Sequence, residues 1–188
     1  GLHAEHIATT YEVTREDQDR FSLQIQQQAA AAVNSGAFEQ EITPVSVAQR
    51  KSTIEVLRDE CLKPETTYEG LAALRPVFKS DGTVTAGNAS TISDGAAAVV
   101  VMDQARLQQQ LPKLKNQAIV ARIVAAHTAG VPPKDLFIAP AFAISQLLER
   151  VRLNLDDIDW FEINEAFASQ MVACCKKLNL DQERVNPL

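Results

Sequence analysis

Cysteine, basic charge and long apolar runs are all scarce in this chain of 188 residues. Three cysteines, Cys61, Cys174 and Cys175, are too few and too oddly placed for a disulfide framework. Lys and Arg number 18 against 24 Asp and Glu, a formal charge of −6. That balance argues against nucleic acid as a partner, because phosphate recognition normally needs a basic face. Gly95-Ala-Ala-Ala-Val-Val-Val-Met102 is the longest apolar run, far short of the ~18 residues of a membrane helix. Gly1-Leu-His-Ala-Glu-His6 has neither the basic region nor the apolar stretch of a secretory signal. What remains is 46% apolar and 22% charged, enough apolar material for a real core. The composition predicts a soluble, intracellular, cytoplasmic protein and names no activity. The chain begins with Gly and ends at Val185-Asn-Pro-Leu188, and reads as a piece of something longer.

Thr14-Arg-Glu-Asp17 predicts a capping box, with Asp17 in the place of the usual Glu. Phe21, Ile25, Ala29 and Ala32 then repeat along one helix face, and Gly36 supplies the stop. Glu41 to Val47 predicts a short extended piece, kept off a central strand position by Pro44. Thr66-Thr-Tyr-Glu69 predicts a second capping box opening a short helix that Arg75-Pro76 ends. From Lys79 to Gly95 the chain is a long glycine-punctuated loop. It runs into an apolar strand or helix over 96–102, a surface helix over 104–111 and a buried strand over 118–126. Pro140 falls near the start of a helix carrying Phe142, Ile144, Leu147, Leu148 and Val151. A strand over 158–163 and a helix over 165–178 follow. The second half thus alternates strand and helix in an α/β pattern, and the first is helical and irregular, with a boundary near 92–95.

Two places carry chemistry. Asn164-Glu-Ala-Phe-Ala168 lies where an apolar strand meets a helix, the position at which open α/β sheets build their sites. Asn164 either donates through its amide to a developing oxyanion or caps the helix. Thr83 to Ser90 is rich in small, hydroxyl and amide residues, which suit either close ligand approach or an ordered surface loop. His3 and His6 have no further ligand cluster near them, so no metal site is predicted. Cys174 and Cys175 read as buried packing, His127 as structural, and Asp17, Asp19, Asp156 and Asp157 as solvated acids. No Ser-His-Asp or Cys-His arrangement can be read.

Taken in order, several stretches give the chain a family resemblance. The most specific are Asp81 to Ser90 with Asp94-Gly-Ala-Ala-Ala98, then Leu74-Arg-Pro-Val-Phe78 and Glu162-Ile-Asn-Glu-Ala-Phe-Ala168. Gly1 to Ala8, Arg15 to Gln18, Gly36-Ala-Phe38, Glu41 to Val45 and Asp59-Glu60 support them. The chain resembles the thiolases through nearly all of its length.

That resemblance implies an incomplete thiolase-like α/β fold: a helical and irregular loop domain over 1–92 that covers coenzyme A, the end of the first half and a linker over 93–116, and the opening of the second half over 117–188. It implies acyl transfer between coenzyme A thioesters by Claisen chemistry, making or cleaving a 3-ketoacyl-CoA such as acetoacetyl-CoA. Acyl-CoA and coenzyme A are substrates, no covalently bound cofactor is implied, and the assembly is a homodimer or homotetramer. In eukaryotes the mitochondrial matrix or peroxisome would be alternative compartments. By resemblance, Asn164 serves an oxyanion hole through a bound water. Ser90, Phe78, Ala86 and Ala89 line the pantetheine channel, joined by Ala166 and Phe167, and Lys63 stands near the nucleotide end. Thr91 and Ser93 stand where the family usually has glycine and asparagine. None of the three cysteines matches a catalytic motif of the family, whose reacting cysteines and histidine fall outside the segment matched here. The chain alone is therefore expected to be inactive; a non-catalytic acyl-CoA-binding or oligomer-forming fragment is the alternative.

Overall fold

A computed structural model describes residues 1–113 and 121–187. Its centre is a helix that is buried over most of its length. This helix, Ala168–Leu178, buries Ala168 through Cys175 and Leu178, as expected of a helix enclosed by others. It is the last of six α-helices among the described residues: α1 (Leu2–Thr10), α2 (Arg15–Ser35), α3 (Tyr68–Ala72), α4 (Gln104–Gln110), α5 (Ala139–Val151) and α6 (Ala168–Leu178). Helices α1, α2 and α5 pack on α6, and a 3₁₀ turn over Pro133–Ile138 closes the gap between α1 and α6. Ile7, Ile138, Met171 and Cys174 are inaccessible at the middle of that core.

The local signals act as their chemistry requires. The Thr14 hydroxyl accepts the Asp17 N–H at 3.0 Å while the Asp17 carboxylate accepts the Thr14 N–H at 2.9 Å. Gly36 ends α2 at φ 74°, the left-handed conformation that glycine adopts without strain. Helix α3 is capped by Thr67, whose hydroxyl accepts the Gly70 N–H; Thr66 instead turns its hydroxyl to the Lys63 carbonyl. The extended piece after Pro44 is real. It forms β1 (Val45–Ala48), antiparallel to β2 (Thr53–Val56) with Val45 opposite Val56 and Val47 opposite Ile54.

The predicted strands need correction. Residues 96–102 carry no regular structure, and Val99 and Val100 are 86% and 85% exposed. Residues 121–126 are likewise irregular and largely exposed, while 118–120 lie outside the described residues. Of 158–163 only Phe161 pairs, with Val185. A strand is stabilised by the ladder its neighbours complete; among the described residues no strand neighbour reaches 96–102 or 121–126, and 158–163 has the single bridge to Val185. No helix described is long and apolar enough to cross a membrane.

Candidate functional site

Two stretches distant in sequence lie side by side at the start of α6. Ala89 bridges antiparallel to Phe167. The Ser90 N–H donates to the Ala166 carbonyl at 3.0 Å, and the Ala168 N–H donates to the Asn88 carbonyl at 2.9 Å. Helix α6 has no side-chain N-cap at Phe167; its first N–H is satisfied by the loop instead. The capping role for Asn164 is thereby removed, because the helix starts four residues later. Asn164 is exposed, and its backbone carbonyl accepts the amide of the buried Gln170 at 2.8 Å.

The loop over 83–90 is ordered by the protein's own groups. The Glu5 carboxylate accepts the Thr83 and Val84 N–H groups and the Thr83 hydroxyl at 2.9–3.2 Å. Val84 and Thr85 are fully buried and Asn88 nearly so. The Asn88 amide is spent inside the protein, which leaves Ala86 and Ser90 as the exposed members of the loop.

A cavity of about 190 Å³ opens beside this pairing. Phe21, Cys61, Ala89, Ser90, Glu165 and Ala168 contribute to its lining. Phe78 meets Phe167 edge-on at 6.3 Å between ring centroids, and Phe137 meets it at 4.8 Å. Of the predicted site residues, Ala89, Ser90, Ala166, Phe167 and Phe78 are thus gathered at one place. Ala86 sits on the same loop. Lys63 joins indirectly: its side chain is exposed, and its N–H donates to Gln26, another cavity residue.

Two contributors were missed in the sequence. Asn186 satisfies both backbone groups of one residue, accepting the Ile163 N–H and donating to the Ile163 carbonyl, each at 2.8 Å. It also donates to Glu165 at 2.7 Å. Its side chain thus takes the place of a strand neighbour for the segment that carries Asn164. The Asn186-Pro187 dipeptide, a turn former, was the available signal. The second is Glu165 itself, whose carboxyl burial pushes up, with the nearby Glu162 adding to the effect against the Asn186 hydrogen bond.

The cysteines divide by environment. Burial raises the Cys174 thiol to about 12 and raises Cys175 as well, consistent with packing. Cys61 is exposed and its thiol is lowered, chiefly by the Thr91 hydroxyl at 3.1 Å and then by Ser93 at 3.5 Å. Iodoacetamide under native conditions is expected to label Cys61 and spare Cys174 and Cys175, as read by peptide mass spectrometry. Equal labelling of all three would contradict the packing of α6. Among the described residues no group of His, Cys, Asp and Glu could hold a metal. His6 is half-buried and meets Asp135 at 3.0 Å, so it ties α1 to the 3₁₀ turn instead of standing free.

Comparison with known proteins now decides the family. The family model for the thiolase N-terminal domain matches residues 1–105 and that for the C-terminal domain matches 117–188. The chain belongs to the thiolase family. It is 48% identical to the acetyl-CoA acetyltransferase of Escherichia coli strain K12, with 99% of this chain and 46% of that protein covered. It is 43% identical to the human peroxisomal 3-ketoacyl-CoA thiolase, with 100% of this chain and 44% of that protein covered. The Bacillus anthracis acetyl-CoA acetyltransferase structure superposes with a TM-score of 0.93 at 42% identity, covering 99% of this chain and 46% of the other. The human mitochondrial 3-ketoacyl-CoA thiolase in complex with CoA gives 0.86 at 40% identity, over 98% and 44%. The chain spans a little under half the length of these thiolases, and its fold is the corresponding part of an α/β thiolase.

Proposed function

We propose that the protein carrying this chain is an acyl-CoA C-acyltransferase that makes or cleaves 3-ketoacyl-CoA. In this reading the pantetheine arm runs past Ser90, Ala86, Ala89 and Phe78 toward Ala166 and Phe167, Lys63 serves the nucleotide end, and Asn164 serves the thioester oxygen. The observation that supports it most is the pairing of Asn88–Ser90 with Ala166–Ala168, which joins the proposed channel wall to the segment bearing Asn164. An amide held there can donate to a developing oxyanion, and Gln170 fixes the backbone of Asn164 through its carbonyl.

The reacting thiols are not among the three cysteines of the chain. Cys174 and Cys175 are buried with raised pKa values. Cys61 has hydroxyl partners but no base within hydrogen-bond reach among the described contacts. In this reading the 188 residues on their own are expected not to turn over acyl-CoA. A homodimer or homotetramer is part of the same reading.

The test is release of acetyl-CoA from acetoacetyl-CoA and free coenzyme A by the complete protein, wild type and Ser90→Trp. Activity is expected in the wild type. An indole at exposed Ser90 is expected to raise the KM for acetoacetyl-CoA about tenfold or more with little change in melting temperature. A folded wild type that releases no acetyl-CoA would overturn the function; an unchanged KM in a folded variant would overturn the channel.

A further inference from the structure

The Asp19 carboxylate is 1% exposed, which corrects the sequence reading of Asp19 as a solvated acid like Asp17. Its Oδ2 accepts the Arg15 Nε–H at 2.7 Å and its Oδ1 accepts the Asn88 amide at 3.1 Å. Donor accounting fixes its chemistry. The Asn88 amide oxygen accepts the Thr85 N–H at 2.7 Å, so the Asn88 NH₂ must face the Thr83 carbonyl and Asp19. Arg15 can only donate. Two donors converge on side chain 19, one at each oxygen, and an acceptor-only group is the one that satisfies both.

The arrangement continues in both directions. Arg15 Nη2 donates to the Leu71 and Leu74 carbonyls at 2.8 and 2.9 Å, at the end of α3. Beyond Asn88, its backbone carbonyl accepts the first N–H of α6, and Ser90 pairs with Ala166 two residues on. A relay, half-buried at Arg15 and buried at Asp19 and Asn88, therefore runs from α3 to the junction of channel wall and oxyanion segment.

We propose that Asp19 is a positioning residue: through Asn88 it sets the register of Ser90 against Ala166–Ala168, and so the spacing between the pantetheine wall and Asn164. This rests on the acyltransferase reading, and the test separates the two. Asp19→Asn keeps the shape but must turn an NH₂ toward Arg15 or toward the Asn88 amide. In the complete protein it is expected to lose hydrogen-exchange protection at the Ser90 and Ala168 amides while amides from Ala173 onward in α6 keep theirs. Its kcat/KM for acetoacetyl-CoA thiolysis is expected to fall on the order of 10- to 100-fold, the scale of a small misplacement of a reacting group. Leu148→Ala on α5, which shares no hydrogen bond with the relay, controls for lost stability and is expected to keep kcat/KM within about twofold when folded.

Should Asp19→Asn fail to fold, Arg15→Lys carries the same test. It keeps the charge and loses the planar fork, and a smaller loss at the same two amides with a several-fold fall in kcat/KM is expected. Unchanged exchange at Ser90 and Ala168 would overturn the proposal, and so would lost protection with unchanged kcat/KM. An inactive wild type would instead overturn the acyltransferase reading, while the exchange measurement still decides the relay.

Discussion

Asn164→Asp in the complete protein is expected to lose on the order of 10²–10³ in kcat, the usual cost of one oxyanion-hole donor. An ionised Asp cannot donate, and its charge opposes the negative charge forming on the thioester oxygen. A contact made through water places the loss at the lower end of that range. The melting temperature is expected to stay put. Asn164 is exposed and lies four residues before α6 begins, so its side chain caps nothing, and surface changes of this kind usually stay within about 0.5 kcal/mol. Asn164→Ala should be equally neutral in stability, where a helix cap would cost roughly 1 kcal/mol. Thermal melts and kcat on the two variants separate the roles. Wild-type kcat in the Asp variant would end the oxyanion assignment.

Glu5→Ala is expected to be the most destabilising single change on the loop's inner side. The carboxylate is 7% exposed and serves two backbone N–H groups and one hydroxyl. Each buried N–H left without a partner costs about 1–3 kcal/mol, so the two together cost roughly 2–6 kcal/mol. For a protein of this size that corresponds to a fall of roughly 4–24 °C in melting temperature. Gly82 shows how closely the two parts fit: a Cβ there would stand 2.1 Å from a Glu5 oxygen. A melt of Glu5→Ala within 1 °C of wild type would contradict the anchoring described.

What the sequence disclosed and what it hid divide along a physical line. Signals closed within a few residues were legible: the Thr14–Asp17 box, Gly36 after α2, Pro140 in the first turn of α5, and Pro44 before an exposed strand. Signals that depend on a distant partner were not. Residues 96–102 have the composition of a strand, yet composition does not supply a neighbour, and they stay irregular. Asp19 looked like Asp17 in the sequence, but one turns into the relay and the other stays at the helix surface with Lys176. The start of α6 was misread for the same reason. Asn164 is a good cap by type, whereas the first N–H of α6 is satisfied by a carbonyl 80 residues earlier. The motif residues Phe78, Ala89, Ser90, Ala166 and Phe167 come together at one place. Two of its supports, Asn186 on Ile163 and the Asp19–Asn88 pair, are long-range hydrogen bonds that spacing does not reveal.

The central claim, that the Asn88–Ser90 and Ala166–Ala168 pairing is the wall along which acyl-CoA is held, is tested most directly by a crystal structure of the complete protein with acetoacetyl-CoA or coenzyme A bound. The expected density has the pantetheine arm between Ser90 and Phe78, with its sulfur end toward Asn164. Density for the arm at a surface that includes neither Ser90 nor Phe78 would contradict it.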